Sequence, residues 1–189
     1  MQQFKSIKKI QLAIVNFLLI GSVSADSIGS IIEQSGSAQL KRQQEEIIIT
    51  EESLPEIELN DVAETANGKL KIKFLDNAQL DIKEHSEVLI DEIYYDPDPS
   101  LSKMSMKFTM GTARFASGSL GLVNKANIDI QTPTATIGIR GTDFTTTIDE
   151  LGRSLIMLLP DANGDPSGEI TVTNEAGVIT LNQAYQATM

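Results

Sequence analysis

His85, in Lys83-Glu84-His85-Ser86-Glu87, is the single histidine among 189 residues, and the sequence holds no cysteine. Thiol nucleophiles, iron–sulfur clusters, disulfides, Cys-ligated zinc and multi-His metal centres are thereby removed. A histidine base needs a nucleophile within reach and an acid to orient it. No Gly-x-Ser-x-Gly elbow accompanies His85, which reads as a solvated residue where a strand meets a turn. Carboxylates are abundant, with 26 Asp+Glu against 15 Lys+Arg, so two acids near each other in sequence carry little weight. A glycosidase pair would also want aromatic rings to hold sugars, and three Tyr, six Phe and no Trp supply few.

Asp161-Ala-Asn163-Gly-Asp165-Pro-Ser167-Gly-Glu169 places oxygen ligands at alternate positions, as the first part of a calcium loop does. Asp161, Asn163 and Asp165 are therefore the metal candidates. The match is incomplete: Pro166 stands where an EF-hand loop wants glycine, and the twelfth position is Val172. The favoured reading is a turn rich in Asp, Asn, Gly and Pro between two strands, with a structural calcium as the alternative. No other cofactor is indicated.

The most informative segment runs from Ile128 to Phe144. It reads as a strand, a Thr132-Pro133 break, an apolar pair around Gly138, and a tight corner Arg140-Gly141-Thr142-Asp143 leading into another strand. Gly138 inside a strand permits close backbone approach. Gly141 is suited to positive φ, Thr142 or Asp143 to bonding turn amides, and Arg140 to pairing with a carboxylate.

The elements that must position these residues are β-strands. Short strand-like pieces recur between Gly, Asn, Asp and Pro, which predicts an all-β domain over residues 26–189, solenoid-like or sandwich-like. Leu70-Lys-Ile72-Lys-Phe74 and Ala78-Gln-Leu80-Asp-Ile82 alternate cleanly. Only a three-residue loop, Leu75-Asp76-Asn77, keeps every apolar side chain on one face, with Asn77 left-handed. In a solenoid the alternation would survive without the hairpin. Ile170-Thr-Val172 and Ile179-Thr-Leu181 predict a second hairpin, Ile170 facing Leu181 and Val172 facing Ile179. Further strands are expected at Ile28–Glu33, Ile47–Thr50, Glu87–Ile93, Met104–Met110, Ala113–Ala116, Ile128–Gln131, Phe144–Ile148 and Leu155–Leu159. The last is a continuous apolar run, as in a strand buried on both faces. Only Ser119–Ala126 hints at a helix. Lys41 to Glu58 and the acidic turn Asp96-Pro97-Asp98-Pro99-Ser100 read as surface excursions. The chain stops at Ala187-Thr188-Met189 directly after a strand-like piece, which reads as one part of a longer protein.

Residues 1–25 have the layout of a cleaved secretory signal. Lys5, Lys8 and Lys9 precede an apolar stretch of about 14 residues, shorter than the ~20 that span a bilayer, and Val23-Ser24-Ala25 supplies a small-residue cut site. The product would be exported to the periplasm, cell surface or medium. The whole chain carries a net charge of −11, and removing three lysines makes it −14. Such a surface repels phosphates, which excludes nucleic acid as a partner. The composition fits a binding, structural or regulatory module better than an enzyme.

Thr132-Pro133 followed by Thr136, Gly138, Arg140-Gly141-Thr142-Asp143 and Phe144 resembles the signature of the FecR domain family. Ser35-Gly36, Leu70-x-Ile72-x-Phe74-x-Asp76, Phe108-x-x-Gly111-x-x-Arg114 and Gly168-x-Ile170-x-Val172 follow in family order, so the resemblance runs from about Ile28 to Met189. It implies stacked short strands and a place outside the cytoplasm. Iron-uptake regulators of the family receive a signal from an outer-membrane transporter and control a cytoplasmic sigma factor. This sequence has neither their sigma-binding region nor their membrane span, so a direct anti-sigma role is not expected. The implied role is an extracytoplasmic module that recognises a protein or glycan. The alternative is a structural or assembly protein of a cell surface or virion, a homo-oligomer joined through β edges. For the signature residues themselves, turn and core requirements suffice without a ligand.

Overall fold

The computed structural model describes residues 27–122 and 127–189. The signal-peptide reading and the second half of Ser119–Ala126 lie outside the described residues. Sixteen strands follow in chain order: β1 (Gly29–Ser35), β2 (Ala38–Arg42), β3 (Glu45–Ile49), β4 (Glu56–Ile57), β5 (Val62–Thr65), β6 (Lys69–Phe74), β7 (Gln79–Ile82), β8 (Ser86–Tyr94), β9 (Lys103–Ala116), β10 (Ile128–Gln131), β11 (Thr136–Arg140), β12 (Asp143–Ile148), β13 (Ser154–Leu158), β14 (Glu169–Asn174), β15 (Gly177–Leu181) and β16 (Ala187–Thr188). Short 3-10 turns at Pro99–Leu101 and Leu120–Leu122 complete the picture. The fold is all-β, and no helix among the described residues is long and apolar enough to cross a membrane.

The strands form one sheet with two arms that share β9. One arm runs β4-β1-β6-β7-β9-β12-β13-β16, the other β3-β2-β5-β8-β9-β10-β11-β14-β15. Among the described residues, only β9 and β10 pair in parallel. In most strands, alternate side chains are buried, as in β6, β7, β8 and β12, and their buried residues from both arms form one core cluster. The two apolar faces therefore cover each other. Phe115 on β9 lies directly opposite Phe144 on β12, with ring centroids 6.1 Å apart and planes tilted by 51°. Such a pair adds about 1 kcal/mol beyond its burial.

The passage of β9 from one arm to the other depends on Gly111. Its φ is +83°, and a Cβ there would meet the His85 carbonyl at 2.4 Å and Ser86 Oγ at 2.2 Å. Any other residue would be strained and would collide with backbone. The break between Met104–Met110 and Ala113–Ala116 read from the sequence is therefore a bend within one strand. Thr112 N–H bonds Ser86 Oγ across the bend (2.9 Å).

Both hairpins form as their parity requires. Leu70 pairs with Ile82 and Ile72 with Leu80, Phe74 N–H bonds Ala78 O, and Asn77 has φ +68°. Ile170 pairs with Leu181 and Val172 with Ile179. Three expectations are corrected. Lys41 to Glu58 is half sheet rather than a free excursion: it holds the end of β2 and all of β3 and β4, and Arg42 Nε and Nη2 bind the carboxylate of fully buried Asp61 at 2.8 and 2.7 Å. Leu155 and Met157 are half-exposed on the outer side of β13, so that strand is buried on one face only. The described part of the helix hint at Ser119–Ala126 is a 3-10 turn, Leu120–Leu122.

Candidate functional site

The segment from Thr132 to Phe144 builds a loop at one end of β11 and a corner at the other. At the loop, Thr132 N–H bonds Ala135 O (2.8 Å), and Thr132 Oγ1 accepts from Ala135 N–H (3.1 Å). A relay of hydroxyls continues from there. Thr134 donates to Ser154 Oγ (2.9 Å), Ser154 donates to Thr132 Oγ1 (2.9 Å), and Thr132 donates to Ala135 O (3.2 Å). Each donor polarises the next, and Ser154 belongs to the opposite arm, so the relay ties the two layers. Pro133 is exposed and fixes the loop's backbone, and exposed Thr136 begins β11 opposite Gln131 and Thr173.

At the corner, Gly141 has φ +56° and its N–H bonds Gly121 O (2.9 Å). Thr142 is buried; its carbonyl accepts from Ser117 N–H (2.9 Å), while its own Oγ1 finds no partner. Phe144 completes the core pair with Phe115. Asp143 turns its side chain away from the turn amides that the sequence reading offered it. Arg114 grips it instead, with Nε donating to Oδ1 (2.8 Å) and Nη2 to Oδ2. The bond to Asp143, followed by its charge, raises the Arg114 guanidinium further above its ordinary value. Asp143 also holds the next loop through its backbone, its N–H and C=O meeting Ser167 Oγ at 2.9 and 3.1 Å. Arg140 is exposed and sits opposite Glu169 in the β11–β14 ladder.

Gly138 does not use the close approach that it permits. A Cβ there would find only Thr171 O, at 3.9 Å. The close approach falls at Gly168, where a Cβ would strike the Arg140 and Gly141 carbonyls, both at 2.4 Å. His85 is exposed with φ +54°, and its N–H bonds Ala66 O (2.8 Å).

The loop from Asp161 to Glu169 is a turn in which Asp161 Oδ1 accepts from Asn163 N–H (2.8 Å) and Asp165 N–H (3.0 Å). Asn163 and Asp165 are exposed. Among the described residues no group of three or more His, Cys, Asp or Glu is arranged to hold a metal ion.

Several open cavities surround this framework, one of ≈640 Å³ at the Thr132–Thr136 loop itself. Another of ≈520 Å³ lies at the signature corner, lined by Arg114, Ser117, Thr142, Asp143, Asp161 and Ser167 among others. A slit of ≈550 Å³ opens between the arms where β13 and β16 face β14 and β15. A further one, also ≈550 Å³, lies on one arm among Gln39, Ile48, Glu64, Glu87 and Met110. Sequence reasoning missed the last, in which Glu64 and Glu87 are directly opposite on β5 and β8. Burial works to raise the Glu64 carboxyl, but bonds from Lys41 and Gln39 outweigh it and hold it below the usual range. Glu64 is thus a charged acceptor at neutral pH rather than a proton donor. Glu87 Oε1 accepts from Thr109 Oγ1 (2.6 Å).

A family profile described as FecR protein matches residues 61–159, just over half of the 189. The match takes in β5 to β13, Arg114 and the whole segment from Thr132 to Phe144. Searches of curated proteins and of solved structures found no match.

Proposed function

The chain belongs to the FecR family, and from that membership we propose that it is a non-enzymatic binding and signalling module of the cell envelope, acting outside the cytoplasm on a protein or glycan partner. The observation that carries this reading is the Arg114–Asp143 lock. Arg114 and Asp143 bond one another, so they hold the fold and recognition falls to other surfaces. Ile48, 63% exposed, and Met110, 48% exposed, flank Gln39, Glu64 and Glu87 along one such surface. Apolar side chains around a few fixed polar groups are what a recognition patch requires.

The test is capture from solubilised envelope followed by titration with the purified species. One partner that saturates, and whose affinity drops at least about tenfold with Met110→Asp, a loss of ~1.4 kcal/mol, supports the reading. No saturable partner, or turnover of a substrate, contradicts it. A second reading, assembly through β edges, is favoured by β15, a five-residue edge strand without charge.

A further inference from the structure

The two arms end, among the described residues, in four edge strands: β3 and β15 on one arm, β4 and β16 on the other. Exposed edges invite pairing with other chains, and proteins blunt them by shortness or charge. β4 and β16 have two residues each, and β3 carries Glu45 and Glu46. β15 has neither defence, since Gly177-Val-Ile-Thr-Leu181 is five residues long and uncharged.

Its register determines what it offers. Asn174 pairs with Gly177 across the Glu175-Ala176 turn. The closing pair of such a hairpin exchanges hydrogen bonds, so Gly177, Ile179 and Leu181 bond inward to β14 and Val178 and Thr180 present N–H and C=O outward. Asn182, next in that parity, has its N–H bonded to Gln186 Oε1 (2.9 Å), which closes the ladder there. Ile179 shares the inner face of Val172, yet it is 43% exposed because the slit between the arms stays open at this edge.

We propose that two copies of the chain pair antiparallel through β15, about a two-fold axis at Ile179. Val178 of each copy then exchanges bonds with Thr180 of the other, about four in all, and Ile179 meets its own equivalent in a close, non-hydrogen-bonded pair. The second Ile179 covers the apolar mouth lined by Ile156, Val172 and Met189. Charge selects this edge for self-association. Copies of a −11 chain repel one another over most of their surface, but along this register Glu175 lies opposite Gln183 and no acid faces an acid. The register is its own complement, so the second copy is the occupant. The inference stands apart from the envelope-partner reading, and its test is independent of that capture experiment.

The sequence has no cysteine, so Ile179→Cys introduces a single thiol. Non-hydrogen-bonded antiparallel pairs place Cα atoms about 4.5 Å apart, within disulfide reach. Under mild oxidation of the full-length chain, Ile179→Cys is expected to form a covalent dimer at least ~tenfold faster than Ile48→Cys, whose residue is 63% exposed on β3 at the opposite end of the same arm, because pairing raises the local thiol concentration. Light scattering of the wild type is expected to show a dimer that dissociates on dilution. Thr180→Pro, which deletes an outward N–H, should abolish the dimer without lowering the monomer's melting temperature. Equal cross-linking rates, a wild-type monomer at every concentration, or species growing beyond the dimer would each overturn the proposal.

Discussion

Two rows of side chains cross the outer surfaces of the two arms, and they are built on opposite rules. On the arm containing β1, β6, β7 and β9, Glu33, Lys71, Asp81 and Arg114 lie in register, so that the charge alternates at every step. The bond to Glu33 and then the charge of Asp81 raise the Lys71 amine, and Arg114 closes the row on Asp143. On the other arm the corresponding row reads Ile48, Gln39, Glu64, Glu87 and Met110. Two acids stand directly opposite, Glu64 bonded by Gln39 and Lys41 and Glu87 by Thr109. Cross-strand pairs of opposite sign stabilise a sheet and pairs of like sign weaken it. The first row is organised as framework and leads into the Arg114–Asp143 pair, whereas the second sets two acids opposite each other beside an open cavity. Two outer faces of one sheet thus divide support from exposure.

Substitutions separate the two rows. The largest effect is expected at the bend that separates the rows: Gly111→Ala should cost about 3 kcal/mol, through positive φ and collision with the His85 carbonyl, read as a lowered denaturant midpoint. Asp81→Asn leaves Lys71 and Arg114 facing each other without the intervening acid and should cost about 1 kcal/mol. Glu87→Gln should act in the opposite sense, stabilising by ~0.3 kcal/mol as the like-charge pair disappears. If both substitutions shift the midpoint the same way, the contrast fails. The smallest effect concerns pH. The Glu64 carboxyl is held low in the folded state, so its contribution is present above its unfolded value and is lost as pH falls through the lower folded one. Melting curves of Glu64→Gln and wild type should therefore converge in acid and separate towards neutrality.

Much of the framework was legible in the sequence because side-chain parity is local. The β6–β7 hairpin follows from Leu70, Ile72 and Phe74 matched to Ile82, Leu80 and Ala78, and Asn77 supplies the one left-handed residue that the loop demands. Boundaries were less legible. β9 reads as two strands because Gly111 looks like a stop, and only its contact with Ser86 shows that the chain turns there without leaving the sheet. The site was legible by residue type but not by partner. Asp143 is flanked by turn residues, so a capping role is the local inference, yet its partner Arg114 lies 29 residues away and meets it through the β9–β12 pairing. The Glu64–Glu87 pair was invisible for the same reason, since nothing in either neighbourhood encodes the β5–β8 register.

The Arg114–Asp143 pair holds the corner together instead of contacting a ligand. A double-mutant cycle with Arg114→Ala, Asp143→Ala and the double substitution tests it directly by denaturant unfolding. The account predicts a coupling of about 1 kcal/mol, modest because Arg114 is half-exposed, with the second substitution adding little to the first. Strictly additive effects would contradict it, since they would mean that the two side chains do not support each other in the folded protein.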